Sequence, residues 1–167
     1  MLHKYSKNYQ NFTVIGNNQT KGPYYSRNLG AKYSKGEIVI FTDDDCLVPS
    51  DWISKIYEAF KNPTVSCVQG TQLFRGSFPS LEAEGKFYLK MLQKRTCFDT
   101  KNLAIRKSLF LKYKFDKRLK TGGDRELGKR MNLNNIKINY DPTICVIHAA
   151  NHNFKNQIER AKNWEQA

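Results

Sequence analysis

The stretch Thr42-Asp43-Asp44-Asp45-Cys46 follows directly on Glu37-Ile38-Val39-Ile40-Phe41. No other junction in the chain constrains its fold as much. Ile38 to Phe41 has the β-branched and aromatic composition of a buried strand, and three carboxylates follow with no spacer. Like charges this close repel, and removing them from water is costly unless a positive group neutralises them. A divalent cation can do so, and Mg²⁺ and Mn²⁺ favour oxygen ligands. Parallel α/β sheets place ligands just beyond the carboxyl ends of their strands. The plainer reading is a solvated acidic turn that leads into the next helix, with Ser50 and Asp51 as its N-cap ahead of Trp52.

Periodicity supplies the surrounding elements. Phe12 to Ile15 is a short apolar run with strand character. Gly22 and Pro23 precede a helix predicted over 24–34, with Tyr25, Leu29 and Tyr33 at helical spacing as its apolar face. Together with the strand at 37–41 this forms a strand–helix–strand unit, for which a parallel pair is expected. Asp51 to Lys61 is an amphipathic helix carrying Trp52, Ile53, Ile56, Tyr57 and Phe60, and Asn62-Pro63 ends it. Val65 to Leu73 is a strand with Gly70 inside it. A loop at 75–80 and a helix at 81–92 follow. The strand-like run 97–105 is interrupted by Asp99-Thr100-Lys101-Asn102. A short helix is expected at 108–113 and another from about Asp124, after Gly122-Gly123. Two short strands, 136–140 and 143–148, are separated by Asp141-Pro142, and a basic helix closes the chain over 151–164.

Composition narrows the class. With 167 residues, 40% hydrophobic and 13% aromatic, the chain is long enough for one domain with a moderate core. No apolar run reaches the ~20 residues of a membrane span and no signal-peptide pattern follows Met1, which places the expectation in the cytoplasm. Cys46, Cys67, Cys97 and Cys145 form no CxxC pair, so packed thiols are expected rather than a disulfide frame or a zinc site. The net charge of +13 attracts anions: phosphorylated substrates, nucleic acid or acidic lipid surfaces. Basic-zipper, zinc-finger and RNA-recognition signatures are absent. Phe74, Phe78, Phe87 and Tyr88 fit an apolar groove or, more simply, core.

Five segments in order then resemble glycosyltransferase family 2. Gly22 to Gly30, with Arg27 and Asn28, resembles the family's G-x-x-x-x-R-N-x-G segment. Ile40 to Pro49, followed by Trp52, resembles its strand and DxD motif. Asn102-Leu103-Ala104-Ile105-Arg106 resembles its N-x-A-x-R stretch. Gly123 to Arg130 resembles the E-D-x-E-L-G-x-R motif that carries the base, and Val146-Ile147-His148 resembles a late strand ending in His.

The resemblance implies an α/β, GT-A (Rossmann-like) fold, with a mixed, mostly parallel sheet flanked by helices, as a single partial domain over residues 1–167. It implies a metal-dependent, inverting transfer of a sugar from a nucleotide-sugar donor to a hydroxyl of a glycan or lipid-linked acceptor, in cell-surface polysaccharide, lipopolysaccharide or other glycan synthesis. Asp45 and His148 would hold Mn²⁺ or Mg²⁺. Arg27, Asn28, Asp43 and Asp44 would contact the donor, and Asn102 and Arg106 would lie on the acceptor side. Asp124 would be the general base.

The chain departs from the family pattern at two points. Gly123 stands where the family has Glu before the base. The family's opening strand–helix–strand unit, which holds the nucleotide base, has no counterpart, so a gene fragment or a second chain supplying that unit is expected. Peripheral contact with the inner face of an anionic membrane fits the charge, and no specific nucleic acid is expected. The competing reading is a non-catalytic basic module for nucleic acid or anionic polysaccharide; against it, three adjacent aspartates add nothing to a polyanion surface.

Overall fold

In the computed structural model, residues 6–17, 19, 21–74 and 98–148 are described. Helix α1 spans Pro23–Tyr33, strand β1 Ile38–Phe41, strand β2 Cys46–Leu47, helix α2 Trp52–Lys61 and strand β3 Cys67–Phe74. Strand β4 spans Leu103–Arg106, helix α3 Lys107–Tyr113, helix α4 Gly123–Leu133 and strand β5 Ile138–His148. The strands form one sheet in the order β1-β4-β3-β5-β2.

The sheet is mostly antiparallel, which corrects the expected parallel majority. Only β3 and β5 run parallel; β1 with β4, β4 with β3, and β5 with β2 are antiparallel. Connection length accounts for β2. A parallel pair needs a crossover of roughly a dozen residues or more to return the chain to the same end of the sheet. Strand β2 follows β1 after only Thr42 to Asp45, so it runs back down; β4 follows β3 after residues 75–102 and enters the sheet from a turn at 99–102 beside the end of β1, which points it the same way. Strands β1, β3 and β5 still share one direction, and their carboxyl ends meet the starts of β2 and β4 at one end of the sheet.

Alternation assigns the two faces. Val39, Phe41, Cys67, Leu103 and Ile105 point to one face, where Tyr24, Ala31, Phe110, Phe115, Leu127 and Met131 cover them from α1, α3, α4 and the segment after α3. Val68, Ala104, Ile144 and Val146 point to the other, under Trp52, Ile56 and Phe60 of α2. Burial on both faces explains why these strands read as continuous apolar runs. Phe41, Phe110 and Phe115 form an aromatic knot with centroids 5.0–5.5 Å apart.

Helix α1 buries a different stripe from the one periodicity predicts. Tyr24 and Ala31 are buried and Arg27 and Asn28 half-buried, the i, i+3, i+4, i+7 pattern, whereas Tyr33 is 60% exposed. The inward stripe carries polar groups because it has bonds to make there. The Asn28 amide donates to the Phe115 carbonyl and accepts from the Phe115 N–H, both at 2.9 Å. Residues 12–15 form no strand; Phe12 and Ile15 are exposed. Asp51 stands at the N-cap of α2 without a capping side-chain bond and pairs instead with Lys55 at 2.9 Å. The two predicted strands around Asp141-Pro142 form one strand, β5, whose pairing with β3 jumps at that point: Gly70 opposes Asp141 and Thr71 opposes Cys145. Cys46 and Cys67 are free thiols, and burial pushes the Cys67 thiol up to about 12. The predicted loop at 75–80, the helices at 81–92 and 151–164, Phe78, Phe87, Tyr88 and Cys97 lie outside the described residues.

Asn102 locks the jump. Its Nδ2 donates to the carbonyls of Thr71 (2.7 Å) and Ile144 (2.8 Å), and its Oδ1 accepts from Trp52 Nε1 at 3.0 Å. Gly70 leaves the room this needs: a Cβ there would lie 2.3 Å from both Asn102 Nδ2 and the Ile144 carbonyl. Gly70→Ala is therefore expected to lower unfolding free energy by about 2–3 kcal/mol, the upper range for overpacking. Urea denaturation checks this, and a wild-type midpoint would contradict it.

Candidate active site

The polar groups gather at the sheet end where β1, β3 and β5 finish. Strands β1 and β2 are the two outermost strands and only Thr42 to Asp45 joins them, so the acidic turn crosses this end. Each aspartate has its own environment there. Asp43 is held by Arg27, whose Nη2 donates to Oδ1 at 2.8 Å, with both side chains about three-quarters buried. Asp44 is exposed. Asp45 is 43% exposed and lies 3.1 Å from Nε2 of His148, which is 4% exposed. The β2–β5 register sets Cys46 directly opposite His148. The ligand atoms of Asp45, Cys46 and His148 all lie within 4.8 Å of one another. Burial, the main cause, raises the Cys46 thiol above its ordinary pKa, and a hydrogen bond from the Asp43 backbone partly offsets this. A carboxylate and an imidazole side by side, one open to solvent, fit a divalent cation that keeps positions for further oxygen ligands.

A second acidic centre forms around Asp99 and Asp124. Asp99 accepts from Gln72 Nε2 at 2.8 Å and from the backbone N–H and Nζ of Lys101 at 3.0 and 3.2 Å. Gln69 fixes the turn from below, accepting from the Asp99 N–H at 2.9 Å and donating to the Asn102 carbonyl at 3.0 Å. The other end of the Gln72 amide, Oε1, is buried with no hydrogen-bond partner among the described residues. Asp124 stands in the first turn of α4, half-buried, and accepts from the Arg125 N–H at 2.9 Å. Its pKa is raised, first by burial and then by the negative charge of Asp99. A carboxylate made more basic in this way suits proton abstraction.

Tyr24 links the two centres. Its hydroxyl accepts from the Gly123 N–H at 2.7 Å, and the Arg27 guanidinium lies 5.9 Å from its ring centroid. A continuous set of contacts thus runs from Asp43 through Arg27 and Tyr24 to the start of α4. A hollow of about 390 Å³ beside Gly16, Lys21, Tyr25 and Leu29 shares no residue with this set.

Asn28, Asn102 and Arg106 have other employment. Asn28 is bonded to Phe115. Asn102 is 2% exposed, with its amide bonded on both sides. Arg106 donates to the carbonyls of Val65 and Phe60 at 2.8 and 3.0 Å and lies over the Phe60 ring. The polar atoms of all three hold the framework together.

The sequence profile described as "Glycosyl transferase family 2" matches residues 1–122. The chain belongs to this family. It is 25% identical over 137 residues to "Glycosyltransferase AglE" of Haloferax volcanii, an alignment covering 78% of this chain and 45% of the relative. A "Glucosyl-dolichyl phosphate glucuronosyltransferase" of the same organism is 36% identical over 56 residues, 33% of this chain and 18% of that protein. Among solved structures, "Mannosyltransferase PcManGT from Pyrobaculum calidifontis in complex with GDP-Man and Mn2+" superposes with a TM-score of 0.72 at 17% identity, covering 95% of this chain and 46% of that one. S. aureus TarS (1–349) superposes with a TM-score of 0.65 at 16% identity, covering 87% and 46%. The fold is therefore GT-A, and the chain spans less than half the length of these relatives.

The family profile ends before Asp124 and His148, so the reading of these two rests on geometry. Geometry also accounts for the family's Glu being replaced by Gly123. A Cβ at 123 would lie 2.7 Å from the Tyr24 ring. Sequence reasoning missed Tyr24, Gln72, Asp99 and Cys46. Asp99 was visible only as an interruption in an apolar run, and nothing in the linear sequence ties it to Asp124.

The raised pKa of Asp124 has a consequence for stability. The folded state favours its neutral form, so its contribution is fully present below the ordinary carboxylate pKa and is lost as pH rises through the folded value. Asp124→Asn is expected to raise the melting temperature at pH 7, with the gain vanishing at acidic pH where both side chains are neutral. Thermal melts of both proteins across pH 3–8 check this (a range spanning the ordinary carboxylate pKa of roughly 4).

Proposed function

We propose that this chain carries the catalytic end of an inverting, metal-dependent glycosyltransferase that uses a nucleotide-sugar donor and a hydroxyl acceptor. The observation that carries the reading is the Asp45–His148 pair, 3.1 Å apart at the sheet end reached by the contacts that lead to Asp124. Asp45 and His148 would hold the cation, which when bound offsets the charge growing on a departing nucleoside diphosphate. Mn²⁺ is the better fit of the two ions considered, because imidazole is a poor partner for Mg²⁺. Exposed Asp44 and the Arg27–Asp43 pair face the donor. Arg27 can hold phosphate or ribose oxygens in a fork that Lys could not provide.

Asp124 takes the proton of the acceptor hydroxyl as its oxygen bonds to the anomeric carbon and the bond to the diphosphate breaks. Attack from the face opposite the leaving group inverts that carbon. A sugar already attached to a glycan or a lipid carrier is the acceptor class we favour. The excess positive charge would keep such a chain near an anionic membrane surface, and the described residues contain no helix long and apolar enough to cross one.

Calorimetry with nucleoside diphosphate sugars and Mn²⁺, paired with a turnover assay on the same purified chain, tests the roles. Asp45→Ala is expected to abolish metal-dependent donor binding. Asp124→Asn is expected to keep binding and lose about 10²–10⁴-fold in turnover. Donor binding that ignores metal, or wild-type turnover in Asp124→Asn, would sink the proposal.

A further inference from the structure

We propose that Cys46 is a third protein ligand at the Asp45–His148 site, making it an Asp–Cys–His set that selects Zn²⁺ or Co²⁺ over Mg²⁺. The inference rests on the cation reading above and concerns which ion that site prefers. The backbone supplies its geometry. Cys46 and His148 are directly paired across β2 and β5, and residues so paired project from the same face with Cβ atoms about 4.5–5.5 Å apart. His148 is almost fully buried and Cys46 half-buried against the α2-side core. The ligand atoms of Asp45, Cys46 and His148 share a sphere in which no two are more than 4.8 Å apart. Zinc binds cysteine sulfur at about 2.3 Å and histidine nitrogen at about 2.0–2.1 Å, so metal binding requires the three side chains to turn towards one another.

The donor set decides the preference. Mg²⁺ takes oxygen ligands in a strict octahedron, whereas a thiolate and an imidazole favour softer first-row cations. One carboxylate, one thiolate and one imidazole leave a fourth position open on the exposed side of Asp45, the pattern of a zinc site that still accepts an outside ligand. On binding, the Cys46 thiol loses its proton to solvent and its sulfur lone pair forms the bond to the metal; no electron is transferred. The other described cysteines stand elsewhere. Cys67 is fully buried on the opposite face of the sheet, and Cys145 precedes Val146 on β5 and so points away from the face of His148.

Titration of the full chain with Co²⁺, followed by the near-ultraviolet sulfur-to-cobalt charge-transfer band, tests the assignment. The band is expected in the wild type and in Cys145→Ser and is expected to be absent in Cys46→Ser. In the same Cys46→Ser variant, Zn²⁺ affinity should fall by more than the ~10–100-fold that losing an outer partner costs, while Mn²⁺ affinity stays near wild type. A band that survives in Cys46→Ser, or an unchanged Zn²⁺ affinity, overturns the proposal.

Alkylation of Cys46 in the wild type needs no folded variant: Zn²⁺ should slow it and Mg²⁺ should not, and equal rates also overturn the proposal. The two readings separate cleanly. Mn²⁺-dependent donor binding with no thiolate band in the wild type removes the sulfur ligand and leaves the transferase. A thiolate band with no donor binding under any metal does the reverse.

Discussion

The carboxamide of Asn102 holds the active end of this molecule in register. Strands β3 and β5 begin as a regular parallel pair and then slip, so that three residues of β5, Pro142 to Ile144, have no partner across the ladder. A slip of this kind strands backbone groups inside the protein, and each buried orphan costs about 1–3 kcal/mol. Asn102 reaches in from the start of β4 and takes two of the freed carbonyls, while Trp52 of α2 donates to its oxygen. One side chain thus joins β3, β4, β5 and α2, where β-ladder hydrogen bonds alone would fail. Its own backbone carbonyl accepts from the Gly70 N–H at 3.0 Å, which closes the junction from the other side.

What lies beyond the slip depends on that junction. Past it β5 is turned so that Val146 stays in the core and His148 arrives opposite Cys46 at the sheet end. The turn at 99–102 that delivers Asn102 also delivers Asp99, whose charge adds to the effect of burial in making Asp124 harder to ionise. Framework and chemistry therefore share a loop. The sheet end can hold a dense group of carboxylates because three of them have different counterparts, Arg27 for Asp43, His148 for Asp45, and Gln72 with Lys101 for Asp99, while Asp44 stays in solvent. Helix α4 is tethered to the same end through the Tyr24 hydroxyl, a neutral contact that adds no charge to the group.

Much of this was legible in the chain itself. Ile38 to Phe41 reads as a buried strand because both its faces are covered, and Asp43 to Asp45 reads as a candidate site because carboxylates this close repel unless positive groups balance them. The helix at α2 follows from its apolar stripe. Hydrophobic periodicity failed where the inward face is polar. Helix α1 presents Arg27 and Asn28 to the interior, and a search for apolar spacing selects instead the neighbouring stripe of half-buried Tyr25 and Leu29 and exposed Tyr33. Strand direction also escaped the linear reading, since β4 pairs with β1 and β3, partners distant in sequence whose alignment only the fold shows. Residues with family resemblance proved to be of two kinds that sequence cannot separate. Arg27, Asp45 and Asp124 lie among the polar groups of the candidate site, whereas the polar atoms of Asn28, Asn102 and Arg106 are bonded to backbone and, for the Asn102 oxygen, to the Trp52 indole. Gly123 is explained only by the Tyr24 ring lying against it.

The acidic turn is also a hem. It is the sole covalent passage between the two rims of the sheet, and the chain has four residues in which to make the crossing. It makes that crossing as a closed turn, in which the Cys46 N–H donates to the Asp43 carbonyl at 3.2 Å. The span thus answers to two unrelated demands, side-chain chemistry and backbone closure. Exchange of one carboxylate for a neutral isostere alters the first and leaves the second intact, whereas removal of a residue would break the closure and shift β2 against its neighbour.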